Sequence, residues 1–349
     1  MNEASQDKTL DLFPIDYPFE TLVGRISKNP PSTVLNPEFQ RKYKWDKEGW
    51  GRASKFIESC LMRIPLPSCY FAEDESGRHL VIDGVQRLTT IKKFFDDEFA
   101  LEGLTAFKEL EGKRFSEIGS LKAELETTTI RCIVLRKGNP KKLIREIFSR
   151  LNQGAVSLSA QEIRHAIYPG NLDDLLMELS GERAISSFGL PNSSDRLKDS
   201  REGEEQVLRF FAFNNDPDLI TYEDNLSDFL DKYMENNQEI SKVLAEKLKQ
   251  LFLKAMNNCI EIFGDDVFSN PTRERAKQGL VYYDLLMPAI ANLKDSIVTS
   301  KKNEISKAFT LLCQSAEFER TLSSGTQKKS SILRRKKLWL EILEKTINE

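Results

Sequence analysis

The stretch Val81-Ile82-Asp83-Gly84-Val85-Gln86-Arg87-Leu88-Thr89-Thr90 runs an apolar strand straight into Asp-Gly and, within a residue or two, into a helix. Glycine at position 84 permits the sharp change of direction and a close approach of other groups to the backbone. The first turn of the helix offers N–H groups without intrahelical acceptors. Together with the helix dipole, they favour an anion at that end. Arg87 adds a forked, permanently charged donor, and Gln86 is able to donate or accept beside it. Asp83 suits either a divalent metal or a cap on the helix. An ordinary strand–turn–helix, with Asp83 capping and Arg87 in solvent, reads equally well from these residues alone.

Outward from that turn the pattern is mixed α/β. Ala53, Phe56, Ile57, Cys60 and Leu61 share one helix face. Pro65 and Pro67 stop that helix, because proline cannot continue the hydrogen-bond ladder. Ser68–Glu73 and His79–Asp83 read as strands joined by the turn Asp74-Glu75-Ser76-Gly77. Leu88, Ile91, Phe94 and Phe95 form a second helix face, and Thr127–Leu135 is a β-branched strand. Lys28–Asn36 is rich in Pro, Ser and Asn and reads as loop.

Beyond Leu135 helical patterns dominate. Asn139-Pro140 reads as an N-cap and first-turn pair before Leu143, Ile144, Ile147, Phe148 and Leu151. Ser159–Glu162 matches the capping box S-x-x-E. Further helices are expected near 202–213, 225–234, 240–263, 272–293, 303–319 and 330–347. The fold class is therefore α+β, with a mixed α/β domain over residues 1–137 and a largely helical bundle over 138–349.

Composition removes several classes. The chain has 349 residues, enough for about two domains. No apolar run reaches the roughly 18–20 residues of a membrane span, and the polar start does not resemble a signal peptide, so a cytoplasmic protein without a membrane partner is expected. Five scattered cysteines without a CxxC pair read as buried thiols in a reducing compartment. With only His79 and His165 present, an HNH-type nuclease centre or a Ser-His-Asp site lacks its imidazoles. The net charge of -3 means that any contact with nucleic acid has to come from a local patch.

Three other segments carry candidate chemistry. Pro37-Glu38-Phe39-Gln40-Arg41-Lys42-Tyr43-Lys44-Trp45 alternates cations and aromatics, which suits a polyanion or a stacked base. An edge strand with Phe39, Tyr43 and Trp45 turned into the core accounts for it as well. Phe148–Leu158 ends a helix with Asn152-Gln153-Gly154, after which Asn152 and Arg164 are candidates to face one ligand, while Glu162 reads as a capping-box partner. Lys328, Lys329, Arg334, Arg335, Lys336 and Lys337 make a basic run suited to DNA or an acidic partner. A solvated final helix packed by Leu338, Trp339, Ile342 and Leu343 fits the same residues.

In order and spacing, these segments resemble the family represented by the N-terminal part of the GmrSD modification-dependent restriction enzymes. Its QRxYxW segment corresponds to Gln40-Arg41 with Tyr43 and Trp45, its P-x-P segment to Ile64–Pro67, and its DGQQR segment to Asp83-Gly84-Val85-Gln86-Arg87. Its FxxxNxxGxxLxxxEIR segment corresponds to Phe148–Arg164. Glu205–Phe211, Phe229–Tyr233 and Ile262–Phe268 resemble the helical continuation. The resemblance implies a ParB/sulfiredoxin-like domain with a helical companion, and a role in restricting foreign, often modified, DNA in defence against phage. It also implies a nucleoside triphosphate (GTP, ATP or CTP) with Mg²⁺. On that basis Asp83, Gln86 and Arg87 are the catalytic candidates and Asp83 the metal candidate. Gln40, Arg41, Tyr43, Gly84, Arg87, Thr89, Asn152 and Arg164 form the nucleotide-binding set.

Two departures from the family pattern matter. Val85 replaces the first Gln of DGQQR, and valine has no group to hydrogen-bond a phosphate or position a water. The His-based nuclease domain that follows in the full-length enzymes is also missing, so a separate effector such as a nuclease is the expected partner, alongside DNA and further copies of the chain. Three functions follow: a nucleotide-hydrolysing sensor that controls an effector, a non-hydrolysing adaptor that recruits one, or a ParB-like nuclease drawing metal-binding carboxylates from Asp83, Glu38 and Glu162.

Overall fold

The computed structural model describes residues 10–35, 45–46, 49–74, 76–151, 159–189, 201–274 and 277–348. The chain divides into two compact units, Met1–Leu158 and Ser159–Glu349. The first is mixed α+β and the second helical, which is the expected fold class.

The first unit is built on a five-stranded mixed sheet of order β1-β5-β3-β4-β2, with β1 Leu12–Pro18, β2 Thr33–Val34, β3 Cys69–Glu73, β4 His79–Asp83 and β5 Thr129–Leu135. β3 and β4 form an antiparallel hairpin. Its turn is held by Asp74, whose carboxylate accepts the Ser76 and Arg78 N–H groups at 2.9 and 2.8 Å. β5 alternates up to Val134: Ile130, Cys132 and Val134 are buried while Arg131 faces out and pairs with Asp16 directly opposite on β1. A period of two is what a half-buried strand requires. Helices α1 (Phe19–Ser27), α2 (Gly51–Leu61), α3 (Val85–Phe95) and α4 (Leu121–Thr127) supply Leu22, Ile57, Leu88, Ile91 and Leu125 to the core that this face builds. Helix α5 (Lys141–Leu151) groups with the sheet in this division.

β1, α1 and the two-residue β2 have no counterpart in the sequence reading. Asn139 also has a role that the expected cap did not suggest. Its side chain accepts the Asp11 N–H at 2.8 Å and donates to the carbonyls of Asp11 and Arg136, both at 2.8 Å. It thereby ties the residue before β1 to the residue after β5.

The second unit comprises α6 (Ala160–Ile167), α7 (Asn171–Ser180), α8 (Arg183–Ser186), α9 (Glu202–Asn215), α10 (Leu226–Asn237), α11 (Lys242–Phe263), α12 (Leu280–Ala291), α13 (Asp295–Gln314), α14 (Ala316–Ser323) and α15 (Lys329–Asn348). Helix α9 is the axis of the core: every residue from Gln206 to Phe213 is buried. Phe210 and Phe211 meet Phe252 of α11, and Phe309 of α13 meets Trp339 of α15 edge-on at 5.5 Å. α12 starts only at Leu280, eight residues later than its apolar pattern suggested, because Asn270 folds its side chain back onto Thr272 and holds that segment as a turn.

Candidate functional site

Strand β4 ends at Asp83, Gly84 turns the chain with φ +105°, and α3 begins at Val85. A side chain at position 84 is barred twice. The positive φ disfavours L residues, and a Cβ there would stand 2.3 Å from Sγ of Cys69 on β3. Cys69 in turn lies opposite Cys132 on β5, and both thiols are buried. A hydrogen bond with Cys69, reinforced by burial, pushes the Cys132 thiol well up, so it stays protonated. The glycine is therefore required by the packing beneath the turn as much as by the turn itself.

Arg87, one turn into α3, reaches back. Its Nη2 lies 2.8 Å from Oδ2 of Asp83 and 3.2 Å from the Ser68 carbonyl, and its Nη1 donates to the Pro67 carbonyl. Its side chain keeps 13% of its exposure, against 43% for Asp83. The guanidinium thus ties the helix start to the Pro67–Ser68 segment leading into β3. Asp83 is an ion-pair partner here, with its carboxylate at the solvent boundary. Val85 is a core residue. The Thr90 hydroxyl donates to the Gln86 backbone carbonyl at 2.8 Å, and Thr89 is half-buried on the same helix. The N–H groups of Val85, Gln86 and Arg87 belong to the helix turn that lacks intrahelical acceptors. The turn therefore brings together Asp83, Gly84, Gln86, Arg87 and Thr89. Gln40, Arg41, Tyr43, Asn152 and Glu38 lie outside the described residues.

Trp45 is half-buried against Phe56 of α2 at 5.6 Å, with the Arg52 guanidinium 5.1 Å from its ring. Glu58, also on α2, was not singled out by the sequence. Its buried carboxylate accepts the N–H groups of Thr105, Ala106 and Phe107 at 2.9, 2.6 and 3.0 Å. Burial pushes its pKa up, yet these donors outweigh that and hold it below the usual range. It anchors the loop after α3.

Arg164 belongs to the second unit and is 1% exposed. It donates to Asp231 of α10 at 2.7 Å, Glu205 of α9 at 2.8 Å, Gln161 at 3.1 Å and the Ser227 hydroxyl at 3.0 Å. The three family-like segments around Arg164, Glu205 and Asp231 thus meet as one buried ion-pair junction. Glu162 beside it is a capping-box partner of Ser159, as its spacing suggested. His165, Asp173 and Glu204 form a second buried group with donor atoms within 4.8 Å of one another. Burial raises the pKa of both Asp173 and Glu204. Arg201 binds both oxygens of Glu204 at 2.7 and 2.8 Å, supplying the positive charge that a metal ion would otherwise bring.

The C-terminal basic run is divided among roles. Arg334 pairs with Glu317 at 2.8 Å, Arg335 is buried and donates to the carbonyls of Thr321 and Thr326, and Lys336 donates to the Pro217 carbonyl at 2.6 Å. Lys337 stands 3.8 Å from Glu341, Lys328 is exposed, and Lys329 gives its backbone N–H to Asp224. Trp339 and Leu343 bury the same face of α15 as Arg335. None of the helices is long and apolar enough to cross a membrane, among the described residues.

The turn thus places a paired arginine and aspartate at a helix start on an α+β unit that is followed by a helical one. Residues 19–169 match the family model of the GmrSD restriction endonuclease, N-terminal domain. Nothing matches the chain among curated proteins or among solved structures.

Proposed function

We propose that the protein acts in restriction of foreign DNA, in defence against phage, with the first unit as its nucleotide-responsive part. The observation that carries this reading is the Asp83–Arg87 pair at the start of α3, in a domain of a restriction endonuclease family. Arg87 and Asp83 hold each other through one 2.8 Å contact at the edge of solvent. A phosphate competes with Asp83 for the guanidinium, and the first-turn N–H groups of α3 add to its hold. Asp83 is a single half-exposed carboxylate. That donor set fits Mg²⁺ carried largely by phosphate oxygens and water, and does not make a protein-only metal site. When bound, such an ion would neutralise phosphate charge. The residues of the chain bind and orient: Arg87 holds the phosphate, and Gly84 lets β4 turn into α3 over the buried Cys69, which sets the helix start in place.

A second reading, binding without turnover, is favoured by Val85. Its side chain packs in the core, so the turn carries one amide fewer than the family pattern offers for placing a water. In both readings DNA and a separate effector are the partners.

Titration of the purified chain with each of the four nucleoside triphosphates and Mg²⁺, followed by calorimetry and phosphate release, tests the proposal. Saturable binding that Arg87→Gln weakens about tenfold or more supports it. Phosphate release above that of the variant selects the hydrolase reading, and binding without release selects the adaptor. If no triphosphate binds, the nucleotide-responsive turn is wrong.

A further inference from the structure

A cavity of about 520 Å³ lies within the helical unit, among α9, α12 and α15. That is the size of a small-molecule site, and its composition fits one: mostly apolar walls with a few placed polar groups. Leu285, Pro288 and Ala289 of α12 line it, with Leu340, Leu343 and Ile347 of α15. Two cations from the basic run, Arg335 and Lys336, also line it. They were singled out in the sequence as candidates for DNA, yet Arg335 is buried and Lys336 half-buried.

The charges are unevenly placed. Arg209 is bound to Asp284 through both oxygens of that carboxylate. The hydrogen bonds of Arg335 run to the carbonyls of Thr321 and Thr326, which hold it rigid, and the carboxylate whose charge acts on it, Asp284, is already bonded to Arg209. Lys336 donates to the Pro217 carbonyl, with the charges of Asp218 and Asp216 acting on it from nearby without a bond to either. The remaining carboxylate in the lining, Glu344, is exposed and lies about 14 Å along α15 from Arg335 at 1.5 Å per residue. Neither cation is thus bonded to a carboxylate among the described residues, and Leu340, Leu343 and Ile347 line the cavity further along α15, beside the exposed Glu344.

We propose that this cavity is a binding site for a small amphipathic anion, with its acidic head at Arg335 and Lys336 and its apolar body along Leu285, Pro288, Leu340 and Leu343. Burial disfavours the charged forms of Arg335 and Lys336 and lowers both pKa values, a cost that an anion beside them offsets. The carbonyl bonds preorganise Arg335, so little side-chain freedom remains to be lost on binding. The site is independent of the turn at Gly84 and stands whether or not a nucleotide binds there.

Calorimetric titration of the full chain with decanoate, decyltrimethylammonium and 1-decanol, all below micelle formation, tests the site. Decanoate is expected to bind at a single site per chain, at least about tenfold more tightly than the cationic amphiphile. Lys336→Gln should weaken decanoate several-fold, on the order of one lost charge contact, and leave decanol unchanged. Ala289→Phe fills the cavity and should abolish binding of all three. Should that variant fail to fold by circular dichroism, Leu340→Phe on the opposite wall replaces it. Absence of saturable decanoate binding, equal binding of the cation, or unchanged binding in a folded cavity-filling variant each overturns the proposal.

Discussion

Arg87 and Arg164 both hold carboxylates, and the two junctions differ in everything around that pairing. Arg87 shares one contact with an aspartate that keeps nearly half of its exposure, 43%, and gives its other donors to backbone carbonyls. Arg164 is sealed in the helical unit, with Asp231, Glu205, Gln161 and Ser227 accepting from its three nitrogens. At the solvent boundary water and ions screen a pair, so exchange of partners costs little. In the interior each charge has given up its hydration and depends on the other. The same residue types thus make an exchangeable contact in one unit and a fixed strut in the other.

The comparison breaks first, if it breaks at all, at Arg164. Arg164→Ala leaves Asp231 and Glu205 without their cation and should cost about 3–5 kcal/mol, measurable as a shift of the urea midpoint with unchanged slope. A loss under 1 kcal/mol would mean that the junction is hydrated and resembles the one at Arg87.

Gly84→Ala comes next. Left-handed backbone strain and the overlap with Cys69 should together cost about 2–4 kcal/mol. Cys69→Ala in the same chain removes the sulfur and should restore part of the loss in thermal melts, leaving the backbone share. No recovery would place the whole penalty in φ.

The smallest effect belongs to Asp83→Asn. As a boundary pair of i,i+4 spacing, Asp83–Arg87 should contribute only about 0.3–1 kcal/mol. The same variant frees the guanidinium from its competing carboxylate, so inorganic phosphate should protect the variant against thermal unfolding more than it protects the wild type. Equal protection in both proteins would show that Asp83 does not control access to Arg87.

Much of this was legible in the residues. Periodicity located α2, α3, β3, β4 and most of the later helices, because a helix face and a strand alternation are local patterns. The Asp-Gly-Val-Gln-Arg turn was legible for the same reason: strand, glycine and helix start lie within ten residues. β1 escaped because a strand running Leu12–Pro18 with prolines at positions 14 and 18 looks like loop until β5 pairs with it. The basic run at the C-terminus looked like one patch, yet α15 turns Arg335 inward and Arg334 outward, a difference of one position on the helix.

The sequence by itself determined the α+β class, the position of the turn, the capping box at Ser159 and the family likeness of the first unit. Tertiary structure alone decided which charges are spent. Arg87, Arg164, Arg201, Arg209 and Arg335 are equivalent on paper, and their partners stand up to 75 positions away along the chain, as Asp284 does from Arg209. Whether a guanidinium is a ligand group or a strut depends on the dielectric around it and on the acceptors brought to it. Both are properties of packing, which no local stretch of residues contains.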